Sequence, residues 1–61
     1  MQVYTNSDKC EYLTAGKFYD VERVSGNGEI AIIEDDDGTQ IAIKLAGGCH
    51  HIHGDDWIVV E

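Results

Sequence analysis

Between Glu29 and Leu45 two β-branched runs, Ile30-Ala31-Ile32-Ile33 and Ile41-Ala42-Ile43, flank the acidic string Glu34-Asp35-Asp36-Asp37-Gly38. Asp-Gly between hydrophobic runs is a strong hairpin signal, because both residues tolerate the positive φ that a two-residue turn demands. Taking Asp37 and Gly38 as the two loop residues pairs Asp36 with Thr39, Ile32 with Ile43 and Ile30 with Leu45. This register predicts a core face of Ile30, Ile32, Ile41, Ile43 and Leu45, and an outer face of Ala31, Ile33, Gln40, Ala42 and Lys44. Because strand side chains alternate between faces, a slip of one residue would turn half of the isoleucines outward.

The chain before this hairpin reads as short strands and turns. Val3 and Thr5 fall on one side of an opening strand and Tyr4 on the other. Asn6-Ser7-Asp8-Lys9 is turn-forming, Cys10 to Leu13 is a brief extended piece, and Thr14-Ala15-Gly16-Lys17 is a second turn. Phe18 to Val24 alternates, with Tyr19 and Val21 inward and Asp20 and Glu22 facing water. Ser25-Gly26-Asn27-Gly28 then leads into the hairpin, so a three-strand meander covers residues 17–45. Ala46-Gly47-Gly48 ends it, and Trp57-Ile58-Val59-Val60 supplies a last strand. No segment carries helical periodicity over ten residues.

Sixty-one residues make one domain, 1–61, and a chain of this size buries only about 60% of its unfolded surface. Four or five short strands are too few for two packed sheets, so the sheet is expected to curl onto itself as a small all-β barrel. Closure would also remove exposed strand edges.

The charge is lopsided. Residues 1–28 hold four acids against Lys9, Lys17 and Arg23, a net of −1; residues 29–61 hold eight acids against Lys44, a net of −7. Phosphate neutralisation needs Lys and Arg in number, so direct nucleic-acid binding is disfavoured and a basic protein partner is favoured. No run approaches the roughly 18 apolar residues of a membrane span. With no apolar leader before the first strand, Cys10 and Cys49 read as reduced thiols of a cytoplasmic protein rather than as a disulfide.

Leu13-Thr14-Ala15-Gly16-Lys17-Phe18-Tyr19-Asp20-Val21, followed by the meander, a short irregular link and a final strand, resembles an SH3-like barrel. The same string, with the Asp-Asp-x-Gly hairpin and a Cys/His segment ahead of a Trp strand, is similar to small uncharacterised bacteriophage-encoded proteins of that architecture. The resemblance spans residues 12–61 and implies a fold of about five antiparallel strands and a phage setting, hence the host bacterial cytoplasm. The aromatic groove of peptide-binding SH3 domains is not matched: Val3-Tyr4-Thr5 carries one tyrosine and Gly28-Glu29-Ile30 no tryptophan.

Two surfaces carry candidate chemistry. Glu34, Asp35, Asp36 and Asp37 at the hairpin tip, with Asp55 and Asp56 later, form acidic clusters that would steer a basic protein partner, while exposed Tyr12, Phe18 and Trp57 would supply contact area. Such carboxylates also invite comparison with a phosphate backbone, so inhibition of a nucleic-acid enzyme is one form this binding would take. The alternative is a metal- or small-ligand-binding barrel. On an extended strand Cys49, His51 and His53 share a face, and zinc takes about four such ligands, with Cys10, Asp55 or Asp56 available as the fourth. Cys49 and His50 are sequence neighbours on opposite strand faces and lie among acids that raise a thiol pKa, so no enzyme is expected and no cofactor besides that zinc. Ile33, with Ala31 and Ala42 on the predicted outer face, is the apolar patch through which two barrels would pair as a homodimer.

Overall fold

A computed structural model describes residues 1–60. It is all-β: β1 (Gln2–Tyr4), β2 (Tyr19–Val24), β3 (Ile30–Glu34), β4 (Gln40–Lys44) and β5 (Ile58–Val60), with one 3₁₀ turn, His50–Ile52, between β4 and β5. The five strands form one antiparallel sheet in the order β4-β3-β2-β1-β5. The meander lies where the alternation placed it. Cys10 to Leu13, expected to be extended, is a turn instead, with the Leu13 N–H on the Cys10 carbonyl. The sheet is open rather than closed: β4 and β5 are its edges, and the 3₁₀ turn packs against β4.

The hairpin register differs by one residue from the two-residue loop. Asp35 N–H donates to the Thr39 carbonyl (2.9 Å) and Gly38 N–H to the Asp35 carbonyl (3.0 Å), with Gly38 at φ +83°. The loop is therefore Asp36-Asp37-Gly38, a turn followed by a left-handed glycine that forms a bulge. The Asp35 carboxylate fixes it by accepting the N–H groups of Asp37 and Thr39. The resulting pairs are Ile30 with Lys44, Ala31 with Ile43, Ile32 with Ala42 and Ile33 with Ile41.

Consequently β4 keeps its predicted faces and β3 exchanges them. Ala31 and Ile33 are fully buried, whereas Ile30 is exposed and Ile32 half-buried. The apolar outer patch proposed around Ile33 and Ala31 does not exist at those residues; the outer face of β3 carries Ile30, Ile32 and Glu34.

The core is Val3, Leu13, Tyr19, Ala31, Ile33, Ile43, Cys49, Ile52 and Trp57, closed at one side by Cys10. Each large apolar side chain removed from water contributes about 1.5–3 kcal/mol. Val3 and Thr5 both point inward, and Tyr19 is buried with Val21 half-buried beside it, as the alternation predicts. Trp57 is 4% exposed and meets Tyr19 edge-on with ring centres 6.0 Å apart. It is a core residue and not the exposed contact aromatic expected from the sequence.

Candidate functional site

Asp36 is the one loop residue whose side chain turns back onto the body of the protein. Its Oδ1 accepts Lys17 Nζ and the Tyr19 hydroxyl, both at 2.8 Å, and its Oδ2 accepts Thr14 Oγ1 at 2.6 Å. The Asp36 N–H donates to the Tyr12 carbonyl at 3.0 Å. These donors, Lys17 first, then Thr14 and Tyr19, hold its carboxyl down at about 2. The Lys17 ammonium is correspondingly pushed up by its hydrogen bond to Asp36, and it lies 5.1 Å from the Tyr19 ring centre. Burial, opposed in part by the Thr14 N–H it accepts, pushes the Tyr19 hydroxyl up.

Most of the predicted acidic surface is engaged in this inward way. Asp35 caps its own loop, Asp55 pairs with Lys9 at 3.3 Å, and Asp56 accepts the Gly48 N–H at 3.0 Å. Hydrogen bonds from Ser7 and then Lys9 lower the Asp55 carboxyl below its ordinary value. Glu34 and Asp37 are the two members of the predicted set for which the described residues show no side-chain hydrogen bond or ion pair.

Beside the Asp36 hub, a cleft of about 420 Å³ is lined by Lys17, Phe18, Tyr19, Asp20, Glu22, Glu34 and Asp35. Two of these acids, Asp20 and Glu22, were read only as water-facing strand positions. Their role becomes visible once the irregular pairing between Val21 and Arg23 sets Glu22 across from the hairpin end of β3 and β4. Gln2 donates to Asp20 at 2.9 Å, and Gln40 donates to both Glu22 oxygens at 3.1 Å. Amide donors orient these carboxylates without neutralising them. The one cation in the lining, Lys17, is matched by Asp36. Four carboxylates thus share a concave surface with no free counter-charge, an arrangement that concentrates negative potential. Phe18 stands at the rim, 49% exposed, with one face stacked on Tyr4 (ring centres 5.1 Å apart, planes 6° apart).

The candidate metal ligands do not converge. The segment is a 3₁₀ turn, not a strand, so its side chains fan out instead of alternating. Cys49 is buried in the core, where its sulfur accepts the Lys44 N–H at 3.5 Å, and His53 takes a left-handed conformation after the turn. Among the described residues no three His, Cys, Asp or Glu side chains are grouped to hold a metal ion. The histidines line an open cleft of about 730 Å³ with Tyr12, Lys9 and Cys10. There Tyr12 and His51 Nδ1 share a 2.7 Å hydrogen bond, and burial first, then a hydrogen bond with Cys10, push the Tyr12 hydroxyl up. Tyr12 is therefore half-buried and committed to His51, which leaves Phe18 as the one exposed member of the predicted contact aromatics.

Among the described residues no helix is long and apolar enough to cross a membrane. Comparison of the chain with protein-family models, with curated proteins and with solved structures found no match.

Proposed function

We propose that this chain is a non-enzymatic binding protein whose acidic cleft receives a basic segment of a protein partner. The observation that carries the reading is the cleft itself: Asp20, Glu22, Glu34 and Asp35 surround a half-exposed Phe18 with no unmatched cation in the lining. An arginine of the partner would lay its guanidinium on the free face of Phe18 and donate to the oriented carboxylates of Glu22 or Asp20. Glu34 and Asp37 would steer the approach. The resemblance to small phage-encoded proteins makes a host or phage protein in the bacterial cytoplasm the proposed partner class, and an SH3-like fold, its barrel left open between β4 and β5, the proposed architecture. The strand order and the single 3₁₀ turn before β5 support that architecture. A nucleic-acid enzyme, with its basic groove, is one partner of suitable charge.

Titration with an arginine- and lysine-rich peptide, followed by amide chemical shifts, tests the proposal. Shifts should centre on Phe18, Glu22 and Glu34 and fade as salt rises. Glu22→Gln should weaken binding several-fold at an unchanged Tm, and Phe18→Ser should do so with a Tm a few degrees lower from the lost stack on Tyr4. Shifts spread evenly over the acidic surface, or variants that bind as tightly as the unsubstituted chain, would remove the cleft from the account.

A further inference from the structure

The outer face of the meander is polarised along its strands. At the hairpin end stands Glu34, paired with Gln40; at the other end stands Lys44, paired with Ile30; Arg23 lies between them, paired with Ile32 beside the bulge that holds Glu22. Neither cation has an ion-pair partner among the described residues, since the salt bridges there belong to Lys9 and Lys17. Ile32, half-buried, sits at the middle level with Arg23, and Ile30, 37% exposed, lies beside Lys44. Along β3 and β4 the face therefore runs from an acid at one end, past two isoleucines, to a base at the other.

We infer that this face is a self-complementary surface for a second copy of the chain. A two-fold axis lying across the strands sets the copies face to face with their strands reversed. It brings Glu34 of one copy toward Lys44 of the other and covers Ile30 and Ile32 twice over. The alternative axis along the strands would set acid on acid and is repelled. The observation behind this is the charge order along β3 and β4; it does not depend on the basic-partner reading, and the two uses compete because both cover Glu34.

Size limits the affinity. The molecule measures 28 × 23 × 18 Å, and a standard interface of about 800 Å² per partner would take about a fifth of its 3803 Å² surface. A weak dimer, with a Kd on the order of 10⁻⁴ M, is what such a face supports.

Sedimentation equilibrium of the purified chain across a wide concentration range is the test. The weight-average mass should rise from one toward two monomer masses at about 0.15 M salt, where a screening length of about 8 Å weakens the repulsion between two chains of net charge −8. Lys44→Glu and Glu34→Lys should each raise the Kd by about tenfold, and the double variant, which restores opposite charges across the axis, should regain most of the loss. All these substitutions are at exposed strand positions, and a circular dichroism spectrum checks the fold of each. A mass that stays monomeric at the highest concentration overturns the inference, and so does a double variant no better than either single one.

Discussion

The Tyr19 hydroxyl donates to the Asp36 carboxylate across 2.8 Å, and through this bond the hairpin tip is fastened to the start of the strand two places earlier in the chain. The same hydroxyl accepts the Thr14 N–H at 2.7 Å, and Thr14 Oγ1 returns to the other Asp36 oxygen at 2.6 Å. A loop tip that would otherwise be exposed and mobile becomes a clasp between residues 14–19 and the β3–β4 turn.

Acid should open that clasp. The folded carboxyl of Asp36 sits near 2 against an ordinary value of 3.8. A depressed folded value means that its contribution is fully present above the unfolded value and is lost as pH falls through the folded one. Stability should therefore drop between about pH 4 and pH 2, in the window those two values define. In Asp36→Asn the Tm at pH 7 should be lower and the drop across that window shallower. Thermal melts of both proteins at a series of pH values measure it; parallel curves would show that Asp36 does not supply the dependence.

Opposite faces of β3 should respond unequally to truncation. Ile33→Ala removes a fully buried side chain and should cost about 2–5 kcal/mol, while Ile30→Ala, 37% exposed, should cost less than about 1 kcal/mol. Urea unfolding of dilute protein gives both numbers. A reversed order would restore the two-residue loop and its register.

Trp57 carries a buried indole N–H with no acceptor among the described residues. Replacement by Phe keeps most of the apolar volume and removes the orphan donor, which itself costs about 1–3 kcal/mol when unpaired. Trp57→Phe should therefore cost less than about 1.5 kcal/mol, and Trp57→Ala about 3–5 kcal/mol, in the same urea assay. Equal losses would show that the indole N–H is satisfied.

Two glycines with similar backbone angles should differ on substitution. Gly16 and Gly48 both have positive φ, +79° and +91°, but a Cβ at Gly16 meets nothing within 4 Å, whereas one at Gly48 meets the Gly54 carbonyl oxygen at 2.8 Å. Gly16→Ala should cost about 1–2 kcal/mol, the left-handed penalty alone, and Gly48→Ala clearly more. Tm values of the two variants decide it.

Strand number and order of appearance could be read from periodicity, because alternation in residues 18–24 and the two isoleucine runs is local information. The face of β3 could not. Asp37-Gly38 marks the turn correctly, yet whether Asp36 joins the loop depends on Lys17, Thr14 and Tyr19, which lie 17 to 22 positions away. The same long-range bonds explain why the acidic tip looked more available than it is. Asp20 and Glu22 show the converse: alternation makes each an ordinary solvent position, and only the bulge and the two glutamines gather them into one cleft. Trp57 is inside because a large aromatic in a chain this short is drawn to the core.

The three-residue tip does not set the register of the strands it joins. Asp35 and Thr39 meet directly beneath it, so removing one residue from Asp36-Asp37-Gly38 would leave Ile33 opposite Ile41 and Ala31 opposite Ile43, with the same faces inward. What such a deletion displaces is the carboxylate that reaches Thr14, Lys17 and Tyr19. A shortened tip should accordingly keep the order of the sheet and lose the fastening of residues 14–19 to it.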